Sequence, residues 1–289
     1  MFGGPEGPGE LNRKDIMKGM TGALRLGMAL AILAESLSVQ VAAAITASEV
    51  ALKSEQVYPG LDQRSKLTFL IKEQGGAERK IVLKRFWKSY KGENNIVSKM
   101  MIFYEYPPEE KGQSFMTWSY APDSGKQDDR WIYLPVLRQV QKVPEKMTSG
   151  GFEAIDFRPE DMAPRPVDLD EHRLMEEEVI DNKPYYVIET VPKKIEEGQV
   201  YSRWVTWISK DQFLKEKIEY YDLSGKPRKE QFISWKKVGG AWVWEKVIIK
   251  NLQTNVQTIL NITEIQVNSD LPDKMFTERT MKLGLEGTR

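Results

Sequence analysis

Cysteine is absent from the 289 residues, and histidine occurs once, at position 172. Without thiols there is no disulfide framework, no thiol nucleophile and no Cys-ligated metal. A lipidated N-terminal Cys is excluded as well. A single imidazole cannot supply a His-based catalytic pair or a multi-His zinc site. His172 lies in the polar run DLDEHRLMEEE and reads as a solvated strand residue. Neither sign of charge is in excess, since 42 Lys and Arg balance 42 Asp and Glu. That argues against a nucleic-acid partner. No Gly-x-Ser-x-Gly elbow, P-loop or Gly-x-Gly-x-x-Gly fingerprint is present.

Carboxylates do occur in runs: Asp128-Asp129, Glu160-Asp161 and Glu176-Glu177-Glu178. A glycosidase needs two that face each other across a sugar. Neighbouring strand residues point to opposite faces, and Asp128-Asp129 sits in a turn, so all three runs read as solvated charge. Arg138, Arg158, Arg165 and Arg203 could hold a polar headgroup, because a guanidinium fork suits phosphate and carboxylate. Surface placement is the simpler expectation for each. No nucleophile, base or metal constellation emerges. The reading is a non-enzyme with no cofactor.

Long apolar runs are also lacking. The most apolar stretch, Leu26 to Ala34, is shorter than the ~20 residues that span a bilayer. It follows Arg13, Lys14, Lys18 and Arg25 and precedes Ala42-Ala43-Ala44, the layout of a Sec-type signal peptide. Residues 1–44 are therefore expected to be a removed signal, with Met17 or Met20 as alternative starts. A retained anchor or an amphipathic helix is the other reading, and Glu35 interrupts the apolar run. Cleavage after Ala44 would leave an exported, periplasmic protein beginning at Ile45. The lack of Cys does not oppose export, because a domain with a large core needs no disulfide.

What the chain has in abundance is alternation. Ile45–Tyr58 reads as one helix capped by Thr46 or Ser48 and stopped by Pro59-Gly60. From Arg64 onward the period is two: Leu67, Phe69 and Ile71 alternate with Lys66, Thr68 and Lys72. About a dozen strands follow, each joined to its neighbour by a short turn, as in an antiparallel meander. The stretch from Gln113 to Pro135 is the most aromatic. Phe115, Trp118 and Tyr120 precede a polar turn, and Trp131 and Tyr133 follow it, on a strand expected to run to about Val143. Residues 144–170 break the rhythm with four prolines and isolated apolar residues. They read as an insert that lays Met147, Phe152, Ile155, Phe157 and Met162 on the sheet. Residues 271–281 read as a last helical turn. Several strands are apolar on both faces, Trp204 and Ile208 opposing Val205 and Trp207, so the second face must be covered. A sheet beyond ~10 strands tends to curl or split. The expected fold is mainly β, with residues 45–289 as one domain. It is a single large antiparallel sheet curled into an unclosed half-barrel, with short helices filling the concave face.

Three motifs give this pattern a likeness. Trp118-Ser119-Tyr120, then Asp129-Arg130-Trp131-Ile132-Tyr133-Leu134-Pro135, then Gly151-Phe152 with Asp156-Phe157 and Glu160-Asp161 resemble the outer-membrane lipoprotein-sorting protein family, a LolA-like group. The closing LPDKMFTERTM resembles that family's end. The chain departs from the family pattern at Ala154-Ile155, where members carry Gly-Ser. The resemblance spans roughly Ile45 to Gly284. It implies an unclosed β-barrel with helices plugging an apolar cavity. It further implies a non-catalytic, monomeric carrier that takes lipid or lipoprotein acyl chains through the periplasm, from an inner-membrane transporter to an outer-membrane receiver. The alternative is a periplasmic binding or scaffolding module that partners an RND-type envelope transporter and transfers no lipid. The cavity lining is expected from Leu67, Phe69, Trp87, Met101 and Phe103 on the early strands. Phe115, Trp118, Tyr120, Trp131 and Tyr133 on the aromatic hairpin would add to it, as would Phe152 and Phe157 in the insert and Trp204 and Trp207 beyond it.

Overall fold

Alternating apolar residues commit most of this chain to strands. The computed structural model describes residues 44–143, 156–157, 161, 165–195 and 198–285, with Met1, Gly3 and Gly4. The chain divides into residues 1–44 and 45–289, and the folded sheet belongs to the second unit. The signal expected over residues 1–44 lies almost wholly outside the described residues. So do Met147, Phe152, Ile155, Arg158 and Met162 of the insert.

The helix α1 (Ala47–Glu55) begins at Thr46, whose hydroxyl accepts from Glu49 N while Glu49 accepts from Thr46 N in return. This reciprocal capping satisfies two orphan N–H groups of the first turn. Fourteen strands follow among the described residues: β1 (Asp62–Lys72), β2 (Glu78–Ser89), β3 (Ile96–Tyr106), β4 (Ser114–Tyr120), β5 (Asp129–Leu134), β6 (Gln139–Lys142), β7 (Asp170–Leu174), β8 (Glu178–Ile180), β9 (Lys183–Pro192), β10 (Tyr201–Ser209), β11 (Lys215–Asp222), β12 (Pro227–Val238), β13 (Ala241–Asn251) and β14 (Gln257–Val267). A short 3-10 turn at Asp273–Met275 and the helix α2 (Glu278–Leu283) close the chain.

All fourteen strands form one antiparallel sheet that does not close into a barrel. Its order is β6-β5-β4-β3-β2-β1-β14-β13-β12-β11-β10-β9-β7, with β8 paired to β9. Two meanders are thus joined where the first strand meets the last. Two expected strands, the one running to Val143 and one expected over residues 173–180, are each broken in two. The strand expected to run on to Val143 stops at Leu134, because Pro135 has no N–H for a ladder and the chain reverses there. Leu137 N bonds to Leu134 O at 3.1 Å, and Arg138 takes a φ of 51°. Residues 175–177 likewise separate β7 from β8. At the β12–β13 turn Gly239 and Gly240 both have positive φ, 52° and 83°, as a two-residue hairpin requires. A Cβ on Gly239 would also meet Val267 Cγ2 at 2.9 Å.

Register assigns each side chain to a face. Leu67, Phe69 and Ile71 on β1 share a face with Leu83 on β2, Ile102 on β3, Leu260 on β14, Val247 and Ile249 on β13 and Ile233 on β12. These residues are buried in one cluster, which we call the inner face. Phe157, from the insert, is fully buried in it and meets Phe69 edge-on, with ring centroids 5.8 Å apart. Helix α1 packs Ala47 and Val50 onto Ile188 and Ile208 of the same face.

The outer face is covered in two ways. Over β2–β6, the C-terminal segment packs Leu271, Met275, Phe276 and Met281 onto Phe86, Met101 and Met116. Over β9–β11, cationic side chains lie on the aromatics: Arg203 is 3.5 Å from the ring centre of Tyr221 and Lys217 is 4.0 Å from that of Trp207. Their alkyl stems shield apolar surface while the charge stays wet. The second apolar face seen in the sequence is accounted for by these two coverings.

Asp62 ties the C-terminal segment to the start of β1. Its carboxylate accepts from Ser269 N and Oγ at 2.9 and 2.8 Å and from Leu271 N at 3.3 Å. Burial alone would raise this carboxyl, but the hydrogen bonds from Ser269, Leu271 and Asp270 outweigh it and hold the group below its ordinary 3.8. A depressed folded pKa stabilises the fold above the unfolded value, and that contribution is lost as pH falls through the folded one. We therefore expect Asp62→Asn to lose about 1.5–3 kcal/mol at neutral pH, the range for hydrogen bonds to a charged group. Its urea stability should also fall less than the wild type's between pH 5 and pH 2.5; a parallel fall in both proteins would refute the role given to Asp62.

Candidate functional site

The inner face is apolar across most of its width. Its buried core is continuous from Ile102 on β3 to Tyr201 on β10. Half-buried Tyr104, Phe115, Trp204, Trp235 and Trp244 pack at its margins. Burial raises the Tyr104 phenol to about 12, with Glu110 adding to the shift. That places its hydroxyl in a poorly hydrated setting.

The structure sorts the sequence-derived lining residues between the two faces. Leu67, Phe69, Phe115, Phe157 and Trp204 meet in the inner cluster. Trp87 stands in register with Gln63, on the same side as Leu83. Met101, Phe103, Trp118, Trp131 and Tyr133 lie on the outer face beneath the C-terminal segment. Trp207 is in a separate outer cluster with Tyr185, Val187 and Val205. Tyr120 closes the aromatic hairpin, donating to Asp129 Oδ2 at 2.8 Å with Lys126 3.7 Å above its ring. Phe152 lies outside the described residues.

Sequence reasoning missed a polar strip within this apolar face. Lys229 is buried, and its ammonium donates to Asp161 Oδ2 at 2.6 Å and to Tyr201 Oη at 2.5 Å. Tyr201 donates to Asp161 Oδ1 at 3.1 Å. The two charged side chains are 3% and 0% exposed, so Asp161 is not the solvated charge that its neighbourhood in sequence implied. Next to them, Tyr220 donates to Gln231 Oε1 at 3.0 Å. Asn251, at the same end of the sheet, donates to Asp156 of the insert at 2.9 Å. Two insert carboxylates are thus held by amine and amide groups that rise from β12 and β13. The available signal was phase: Lys229 and Gln231 alternate with Ile233, while the more apolar Phe232 points outward under Lys250.

The other charged candidates serve structure. Asp129 accepts from Lys142, Lys126 and Tyr120. Burial pushes its carboxyl up, but these bonds carry it down to about 2. Arg165 is doubly bonded to Asp170, and Arg203 reaches Glu189 at 3.2 Å. Arg138 occupies the β5–β6 turn, and Arg158 is outside the described residues. His172 is half-buried rather than solvated, with Nδ1 3.1 Å from Thr190 Oγ1 and Nε2 2.9 Å from Val167 O.

A broad unclosed sheet with an apolar inner face, against which Phe157 and Asp161 are held, defines a LolA-like half-barrel. Solved structures share it. A DUF1329 family protein from Desulfovibrio piger superposes with a TM-score of 0.72 at 25% identity, over 81% of this chain and 97% of that one. A Vibrio parahaemolyticus protein, provisionally described as an outer membrane lipoprotein-sorting protein domain, gives 0.70 at 21% identity, covering 82% and 98%. A LolA superfamily protein from Nitrosomonas europaea gives 0.59 at 21%, covering 81% and 99%. No curated protein matches the chain. A family model whose description reads "Uncharacterized protein" matches residues 97–283, more than half of the chain, and the chain belongs to that family, whose fold is LolA-like. Among the described residues, no helix is long and apolar enough to cross a membrane.

Removing one partner of a buried ion pair leaves the other charge uncompensated, at about 3–5 kcal/mol. Lys229→Met should lose stability of that order in urea unfolding followed by tryptophan fluorescence. A loss under about 1 kcal/mol would mean that Asp161 is not held as a charge by Lys229.

Proposed function

We propose that this protein is a periplasmic, non-catalytic carrier that binds lipid or lipoprotein acyl chains on the inner face of its half-barrel. The observation that carries this reading is the width of the apolar inner face. It extends from Phe115 on β4 to Trp204 on β10, while α1 packs only at the β7–β9–β10 end. Phe69, Ile71, Val247 and Ile249 of that face are already buried, so acyl chains would take the place of Phe157 as its apolar cover, at about 0.8 kcal/mol per buried CH₂. The likeness to lipoprotein-sorting and LolA superfamily structures agrees with such a cargo.

Phe157 and Asp161 are then the contacts that cargo must displace. Phe157 plugs the apolar face and Asp161 is clamped by Lys229, so cargo would enter by displacing the plug. A ligand shifts such an equilibrium only by its differential affinity for the open state. Unloading therefore needs a receiver that binds the cargo more tightly.

Native mass spectrometry of protein purified from its host envelope should reveal co-bound lipid. Phe115→Asp, on the inner face, should weaken binding of a fluorescent fatty acid at least about tenfold, since a carboxylate would have to be desolvated under the chain. Trp131→Leu, on the outer face, should bind as wild type does. Purified protein free of lipid that also ignores the probe would exclude the carrier reading.

A further inference from the structure

We propose that Arg85, with Ser65 and Gln63, forms a site on the inner face for the oxyanion headgroup, carboxylate or phosphate, of a bound amphiphile; this rests on the carrier reading above. Arg85 lies on β2 in register with Ser65 on β1 and Ile102 on β3. It is in phase with Leu83, so its side chain belongs to the inner face. Its Nη1 donates to Gln63 Oε1 at 2.9 Å. A guanidinium has five N–H donors, and this is the one hydrogen bond that Arg85 makes from its side chain among the described residues. The cations beside it on β1 and β2 are differently placed. Lys66, Lys84 and Lys88 pair with Glu264, Glu105 and Asp273, and all three are on the outer face by phase.

Ser65 supplies the second observation. It is 7% exposed, and its Oγ has no hydrogen-bond partner among the described residues. A buried hydroxyl and a desolvated cation side by side, both short of acceptors, are a costly arrangement that native proteins rarely keep without use. Arg85 itself is half-buried, with part of its surface still open to an incoming group. Burial is the sole cause that draws it down to about 10; a nearby carboxylate would act in the opposite sense.

An oxyanion answers both deficits. Its oxygens accept two parallel N–H bonds from the guanidinium, the geometry that carboxylate and phosphate share, and a further bond from Ser65. The position suits an amphiphile rather than a free ion. On one side of Arg85 lie Leu67 and Leu83, followed by Phe69 and the Phe157 plug; on the other lies Gln63, in register with Trp87. A chain laid over Leu67 and Leu83 would leave its head at Arg85.

The test uses the full protein and three ligands with the same C16 chain: palmitate, a lysophosphatidic acid and uncharged monopalmitoylglycerol. Each displaces an uncharged apolar fluorophore, from wild type and from Arg85→Met, Arg85→Lys and Ser65→Ala. At least one anionic ligand should bind wild type about tenfold or more tightly than the neutral one, the effect of one charge-assisted interaction. Preference for palmitate alone identifies fatty acid as the source of the head, and preference for the phosphate identifies phospholipid. Arg85→Met should erase the preference and leave monopalmitoylglycerol affinity unchanged. Arg85→Lys should keep part of it, and Ser65→Ala should reduce it a few-fold. Unchanged neutral binding also shows that the Met variant is folded. Binding of all three ligands without a headgroup preference, or a preference that survives in Arg85→Met, overturns the site and leaves the carrier reading standing. If none of the three displaces the fluorophore, the carrier reading falls and this site falls with it.

Discussion

The pairing of β1 with β14 holds this protein together. Lys72 lies opposite Gln257 and Gln63 opposite Val267, so the first strand of the sheet is laid against the last. Every other neighbour along the sheet is close in sequence, apart from the β7–β9 pair, which skips the short β8. Without β1–β14 the chain would be two separate meanders, each with an exposed edge and half an apolar face. The pairing is expensive to reach, because the ends of a very long loop must meet before any contact rewards them. Burial of Phe69 and Ile71 against Leu260 and Val247 offsets that entropy. Asp62 then binds the chain beyond β14, so the seam and the C-terminal segment are secured at one place.

The rest of the architecture follows from how the two faces are covered. The outer face is closed by the chain itself: methionines and Phe276 of the C-terminal segment at one end, and arginine and lysine stems at the other. Met101, Met116, Met275 and Met281 supply the adaptable thioethers suited to an irregular joint between a sheet and a short helix. On the inner face, α1 packs at one end and Phe157 sits against Phe69. The inner face is the one whose aromatic margin stays half-buried.

Charge is placed on the apolar inner face at two points. Lys229 and Asp161 fasten the insert at the β10–β12 side. Arg85, at the β1–β3 side, has an amide for a partner instead of a carboxylate. A fully paired charge holds a fixed element in place, whereas a cation short of acceptors is able to receive one.

Much of this was legible in the sequence because a strand writes its pattern every second residue. The strand-rich class, a helix capped at Thr46 or Ser48, the turn at Gly239-Gly240 and the alternation of Leu67, Phe69 and Ile71 needed only local rules. The aromatic hairpin was legible as a hairpin, but its facing was not. Alternation says that Phe115 and Trp118 oppose each other, and cannot say which of them meets the interior. That is settled by register across β2, β3 and β4, which puts Phe115 inside and Trp118, Trp131 and Tyr133 under the C-terminal segment. Asp161 read as a solvent-facing charge for the same reason, and nothing local singled out Lys229 or Arg85, since burial of a charge depends on distant partners. The sequence by itself thus determined the elements and their two-sided character, which are consequences of backbone geometry. Only the tertiary structure decided which side is interior and which charges it contains, because both depend on the long-range β1–β14 seam.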